Sequence, residues 1–402
     1  MRLQWVDLDR FRNMEPQKIN LHPRYNLLLG RNGQGKTNFL EAVGYLGSLR
    51  SFRGAGRNEM ISHGENICRV SGSVISRGYE KKLAVALTRK GRTQFLDENR
   101  VNSPEEYLQA LKVVHFIPED VGLVGGSPAW RRKLIDRSVF EIIPHYVNEY
   151  RKYLLVLRQR NALLRKGRAS NAELRSWNEA LAGSGSVLVE RRLKLIGELN
   201  PVMNEMGRQF GLNGKLGLIY LPSHGRNSEV MDREHTGGQG LNTVHDPSGD
   251  SRSSIEDKIL EKLAGLAEKE IRNRHTLTGP HRDNIVFVLD RGAMSIDLAR
   301  YGSQGQKRSA VLAFKLALAF VLFQATGAWP LILLDDVASE LDETRRKALG
   351  NIIRSTQAQF FISTTGEEFM FLPADEGKVF EVIEGQLKTF EVPHQLHHSP
   401  DC

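Results

Sequence analysis

Two cysteines among 402 residues, Cys68 and Cys402, leave no material for a disulfide framework. Such scarcity fits a reducing compartment, and a cytoplasmic location is expected. The opening residues Met1-Arg2-Leu3-Gln4-Trp5-Val6-Asp7 lack the apolar core of a secretory signal. Long apolar runs are missing as well. The most apolar stretch, Ala310 to Phe323, is interrupted by Lys315 and falls short of the roughly 18 uninterrupted apolar residues of a spanning helix. No membrane partner is therefore expected. No internal repeat is visible.

What is present is a long, ordinary globular composition with a lopsided charge. At 40% hydrophobic and 26% charged residues there is ample chain to bury a core, and 402 residues suggest two or three domains. Lys and Arg number 56 against 47 Asp and Glu, a net charge of +9. Between Ser127 and Ile196 there are 15 Lys/Arg and 6 Asp/Glu, so a local excess of +9 leaves the rest of the chain near neutral. The excess reads either as a solvated helical face or as an electrostatic footprint for a polyanion such as nucleic acid.

The order of textures points to an α/β fold with a helical insertion. Tyr25 to Leu29 is a short apolar run, followed by a Gly-rich loop and a helical pattern. Residues from about Ile67 to Leu96 alternate as strands do, with Gly78 and Gly91 as turns, and Val113 to Ile117 is a buried strand stopped by Pro118. Ser127-Pro128 is a helix start, and helical stretches run to about Gly211 with breaks at Pro144 and near Gly167. Ser223 to Ser253 is polar and loop-like, and a helix resumes to His275. Ile285–Leu289 and Met294–Leu298 read as neighbouring strands, Ser303–Thr326 as a largely buried helix, Leu331–Leu334 and Phe360–Ser363 as buried strands, and Asp342–Arg354 as a helix. The tail from Pro393, with His394, His397 and His398, is expected to be disordered.

Gly30-Arg31-Asn32-Gly33-Gln34-Gly35-Lys36-Thr37 matches the P-loop pattern, and it follows a strand and opens a helix as that pattern requires. Glycines let backbone N–H groups converge on phosphate oxygens, Lys36 brings charge to the outer phosphates, and Thr37 offers a hydroxyl to Mg²⁺. Leu331-Ile332-Leu333-Leu334-Asp335-Asp336 would deliver Asp335 beside that loop to hold Mg²⁺, with Asp336 placed to orient water. The plainer alternative is a buried strand ending in a solvated acidic turn. Ser303-Gln304-Gly305-Gln306 could form a second phosphate site at a helix N-terminus, or Ser303 could simply cap that helix.

These elements, in this order, resemble an ABC-type ATPase head. In that class Ser303, Gln304, Gly305 and Gln306 correspond to the signature motif, which acts on the nucleotide of another chain, and Ser339-Glu340-Leu341-Asp342 to the D-loop. The large insertion narrows the likeness to the SMC branch. Asp9-Arg10-Phe11-Arg12-Asn13, Thr37-Asn38, Pro118-Glu119-Asp120, Gly125-Gly126-Ser127-Pro128 with Arg131-Arg132, Gly279-Pro280-His281-Arg282-Asp283, and Arg345 after the D-loop together resemble the RecF family over nearly the whole chain.

The resemblance implies an ATPase head of residues 1–126 and 278–392 with an N-terminal β subdomain, an inserted helical arm of 127–277, and a tail of 393–402. It implies ATP and Mg²⁺ as cofactors, with Arg12, Asn13 and Asn38 joining the P-loop at the nucleotide. It further implies an ATP-dependent homodimer, binding of double-stranded and gapped DNA, slow ATP hydrolysis, and work with RecO and RecR in loading RecA. Arg131, Arg132, Lys152, Arg158, Arg165 and Lys166 are the candidate DNA contacts.

Asp336 stands where transporters usually carry glutamate, and Phe360-Phe361-Ile362-Ser363-Thr364-Thr365 lacks the histidine common in ABC ATPases. A transporter subunit and a clamp that binds ATP without turnover are the competing readings. His281, Arg282, Arg53 and Arg57 are left between functional and structural roles, and Cys68 reads as a core residue.

Overall fold

The computed structural model describes residues 1–166, 171–224, 251–292, 294–337, 341–366, 372 and 376–390. Most of the polar 223–253 segment, Ser339 of the D-loop, the expected break near Gly167 and the 393–402 tail lie outside the described residues. The chain forms two compact units, Met1–Asp120 with Leu318–Cys402, and Val121–Ala317.

The first unit holds two six-stranded sheets. In one, the order is Gln386–Thr389, Gly377–Ile383, Tyr25–Leu29, Phe360–Thr364, Leu331–Leu334, Val113–Phe116, and every neighbouring pair but the first is parallel. Its inner strands are near-continuous apolar runs because both faces are covered. The other sheet is antiparallel throughout, from Gln17–Asn20 through Arg2–Asp9, Ile67–Ser76, Tyr79–Thr88 and Arg92–Leu96 to Asn99–Val101. Its alternating residues Cys68, Val70, Leu83, Val85 and Leu87 share one core with Phe39, Leu40, Val43 and Leu46 of helix Lys36–Ser48 and with Leu333, Phe361 and Val382 of the parallel sheet. Gln359 fastens the sheets together. Fully buried, it accepts from Leu3 N–H and donates to the carbonyls of Leu3 and His22.

The second unit packs helices Pro128–Ile142, Tyr146–Lys166, Asn171–Gln209 and Arg252–Asn273 with a three-stranded sheet. The break at Pro144 is present, whereas Pro201 is accommodated inside its helix. The strands near 285 and 295 are antiparallel neighbours as expected, and Asn284–Asp290 also takes Lys215–Leu221 along its other edge. Helix Gln304–Thr326 starts in this unit and ends in the first. Contrary to the reading from its interrupting lysine, it is apolar and long enough by composition to cross a membrane. Burial explains that: 72% of its most apolar window lies inside the fold.

Several cations of the basic stretch are structural. Arg192 is 1% exposed and makes a two-pronged ion pair with Asp136 at 2.7 and 2.9 Å, with further bonds to Tyr220 Oη and the Pro280 carbonyl. Arg160 is equally buried against Glu270, Thr276 and Asn178. Arg131, expected at a DNA surface, is instead buried. Its Nη1 donates to the carbonyls of Leu123, Val124 and Gly126, which a short helix leaves without partners at its C-terminus, and its Nη2 donates to Asn284 Oδ1. Arg132 is half-buried and donates to the Asp283 carbonyl.

The Gly279–Asp283 motif belongs to the same scaffold. Asp283 is buried and accepts from Tyr220 Oη and Ser223 N–H, and His281 Nδ1 shares a 2.6 Å hydrogen bond with the buried Tyr153 hydroxyl. Burial lowers the His281 pKa to about 4, with Arg282 and Arg132 adding to the effect and the Thr276 hydrogen bond and Asp283 opposing it. The unfolded chain therefore binds this proton at higher pH than the folded one. Stability from this site should be complete above about pH 6.5 and lost as pH falls toward 4, by at most about 3 kcal/mol. Urea unfolding of wild type and His281→Gln across that range should show a steeper pH dependence for wild type.

Candidate functional site

Three parallel strands bring their carboxyl ends to one place in the first unit, where ligands of open α/β sheets bind. Tyr25–Leu29 runs into Gly30, Leu331–Leu334 into Asp335, and Phe360–Thr364 carries Ser363. The loop Gly30–Gly35 then opens helix Lys36–Ser48, so the positive end of that helix faces the loop.

The loop's conformation needs its glycines. Gly35 caps the helix at φ 115°, and Gly30 lies so close to the Val382 carbonyl that a Cβ would meet that oxygen at 2.6 Å. The hairpin that links Gly377–Ile383 to Gln386–Thr389 braces the loop from behind. Glu384 N–H donates to Gln34 Oε1 at 2.7 Å, and Gly385 N–H to the Gln34 carbonyl at 2.9 Å. Lys36 is buried, and its Nζ donates to the carbonyls of Gly30 and Arg31. Burial lowers its pKa, and Asp336 and Asp335 oppose that shift. Arg31, Asn32 and Gly33 are exposed at the loop's crest.

Asp335, 6% exposed, is the junction of the strands. Its Oδ1 accepts from Ser363 Oγ at 2.6 Å and from Thr37 Oγ1 at 3.1 Å, and its N–H donates to the Phe116 carbonyl. Burial raises the Asp335 pKa; the Ser363 and Thr37 hydrogen bonds oppose this, and the negative charges of Asp336 and Glu119 reinforce it. Asp336 has a left-handed backbone, φ 48°, with its N–H donated to Ser363 Oγ. The chain turns sharply between the two acids.

A hydroxyl and a carboxylate in contact beside an ammonium, below a crest of backbone N–H groups, suit a hard divalent cation and a polyphosphate. The hard-oxygen donors fit Mg²⁺, and the glycine cradle fits phosphates that no Cβ obstructs. Thr37 and Asp335 would hold the cation, and Lys36 with the loop amides the phosphates.

The flanking residues expected at the nucleotide divide. Asn13 is exposed and its Oδ1 accepts from Asn38 Nδ2 at 2.6 Å, so both stand beside the helix start. Arg53 Nη1 donates to Asn38 Oδ1 at 3.3 Å and joins that edge. Arg12 grips the fully buried Glu41 with two hydrogen bonds, and Ser51 Oγ also donates to Glu41. Arg12 thereby anchors the Asn13 loop to the helix. In the second unit, Ser303 Oγ accepts from Gln306 N–H while Ser303 N–H donates to Gln306 Oε1, a reciprocal capping box that leaves Ser303 and Gln304 exposed at the start of Gln304–Thr326. Asp342 caps helix Glu343–Ser355 through Arg345 N–H and pairs with the Arg345 side chain.

Sequence reading missed Ser363, Gln34's brace and Glu41. Ser363 alone had a visible signal, a hydroxyl closing an otherwise apolar buried strand.

A family model described as the RecF/RecN/SMC N terminal domain matches residues 2–386. The DNA replication and repair protein RecF of Geotalea uraniireducens (strain Rf4) is 33% identical over 96% of this chain and 100% of its own length. The chain belongs to the RecF family. The RecF of Streptococcus agalactiae serotype Ia is likewise 33% identical, over 96% of this chain and 97% of its own. A solved structure described as the recombination mediator protein RecF-ATP in the RecFOR pathway superposes with a TM-score of 0.80 at 30% identity, covering 96% of this chain and 99% of that one. An SMC head bound to the C-winged helix domain of ScpA shares the fold at a TM-score of 0.56 and 15% identity, over 98% and 99% of the two chains. The ABC/SMC-type α/β architecture of the RecF family is thus the one present here.

The raised Asp335 pKa carries a prediction. Burying this carboxylate as an anion opposes folding at neutral pH. Asp335→Asn should therefore match or exceed wild type in Tm in the presence of a chelator, and should lose the rise in Tm that Mg²⁺ with ATP gives wild type.

Proposed function

We propose that this RecF-family chain is an ATP-dependent recombination mediator that acts on duplex DNA next to single-strand gaps. The observation that carries the reading is the Thr37–Asp335–Ser363 junction beside the P-loop, within a chain that matches RecF proteins nearly end to end. Lys36 and the amides from Gly30 to Thr37 bind the phosphates of ATP, with Asn13 and Asn38 at the edge. Thr37 and Asp335 hold Mg²⁺, which when bound neutralises charge on the outer phosphates. Asp336 orients the attacking water; its short reach makes turnover slow. The head corresponds to 1–126 with 278–392 and the arm to 127–277, in a cytoplasmic, nucleoid-associated protein.

One chain has one P-loop and one signature segment. Two chains placed head to tail would set Ser303, Gln304, Gly305 and Gln306 of each, with Ser339 and Asp342 of the D-loop, against the nucleotide of the other. ATP would then hold a homodimer together and release it on hydrolysis. RecO and RecR, the partners implied by the family, would use the ATP-bound dimer at gaps to load RecA.

Three variants separate these roles. Lys36→Ala should weaken ATP binding by roughly tenfold or more, about 1.4 kcal/mol. Ser303→Arg should keep ATP binding in the monomer and lose ATP-dependent dimerisation in sedimentation. Asp336→Asn should bind ATP and dimerise yet hydrolyse it far more slowly. Undiminished affinity in Lys36→Ala would overturn the nucleotide assignment. Absence of turnover in wild type, with and without DNA, would favour a clamp that uses ATP only to join two chains.

A further inference from the structure

Part of the exposed positive charge of the second unit lies along one helix face. Helix Tyr146–Lys166 has no acidic residue after Glu149. Arg160 points inward to Glu270 and is fully buried. Lys152, Arg158, Arg165 and Lys166 are exposed, and Arg158 and Arg165 turn Nε to backbone carbonyls one turn back, at Leu154 and Asn161. Elsewhere in the stretch, Arg137, Arg175 and Arg191 are paired with Glu141, Glu179 and Glu149.

Helical spacing arranges the exposed residues in rows. At about 100° per residue, Arg158 and Arg165 fall on one line and Lys152 and Lys166 on a second, with the exposed Arg151, Leu155, Gln159 and Ala162 inside the same arc of about 140°. Leu155 is 51% exposed. The face is dominated by cationic side chains, which address phosphates whatever the base sequence. No exposed residue of the helix is aromatic. Stacking platforms, which single-stranded nucleic acid uses, are therefore missing from this face. From Lys152 to Lys166 the helix rises about 21 Å, close to six base pairs of duplex at about 3.4 Å each.

We propose that this helix face is the track that holds the duplex backbone, with Lys152, Arg158, Arg165 and Lys166 each neutralising one phosphate and with no sequence preference. It rests on the DNA-binding reading above and narrows it to one surface. Four neutralised phosphates contribute about 3.6 to the slope of log affinity against log salt.

The test measures ATP-bound protein on two unrelated duplexes and on a single strand of equal length, over a range of salt. Joint reversal of Lys152, Arg158, Arg165 and Lys166 to Glu should lower duplex affinity by tenfold or more, equally on both sequences, and reduce the slope by about 3.6. Arg158→Gln with Arg165→Gln, a milder pair, should reduce it by about 1.8. Lys269→Glu with Arg272→Glu, exposed on helix Arg252–Asn273, should leave the slope unchanged. ATP-dependent dimerisation is measured alongside as the check on folding. If wild type binds duplex and both track variants keep its slope, the track is overturned while DNA binding stands. A wild type that binds no duplex overturns both. Track variants that lose single-strand binding alone would overturn the assignment to duplex.

Discussion

A carboxylate kept away from water is the constraint on which the ATPase unit turns. Asp335 is held by Ser363 and Thr37, so one oxygen ties the acidic strand to its neighbour and to the helix after the P-loop. The hydrogen bonds keep the strand ends aligned, while burial and the nearby Asp336 and Glu119 make the negative charge costly. Order and electrostatic need thus sit on the same atom. A cation bound there, as proposed, would relieve an existing tension rather than create a new contact from nothing.

The second unit handles the same problem with the opposite sign. Arg192 and Arg160 are fully buried cations, each matched by a carboxylate and by neutral acceptors. Removing one partner from such a pair typically costs about 3–5 kcal/mol, because the other charge stays behind in a dry interior. These pairs join helices distant in sequence: Asp136 to Arg192, and Arg160 to Glu270. They fix how the helices pack, which in turn determines which cations remain on the outside.

The P-loop and the acidic strand were legible because each is a contiguous run with its own local signature. The family likeness rested on such runs and is matched by relatives over nearly the whole chain. What could not be read depended on which strands become neighbours. Ser363 gains meaning only when its strand lies beside Leu331–Leu334, and Gln359 only when two sheets face each other. Lys215–Leu221 went unnoticed as a partner for Asn284–Asp290, since pairing across some sixty residues leaves no local trace. Charge was legible and burial was not. Arg131 and Lys152 look alike in sequence, yet one serves three carbonyls in the interior and the other faces solvent.

The hairpin behind the P-loop has a consequence for how this protein is made. Strand Tyr25–Leu29 is made long before either of its neighbours, Phe360–Thr364 and Gly377–Ile383. The Gln34 contacts likewise wait for Glu384 and Gly385. A nascent chain therefore displays a complete phosphate-loop sequence before the walls that shape it exist. Such distant pairing is slow to form, so nucleotide capture waits for residues far downstream of the loop that binds it.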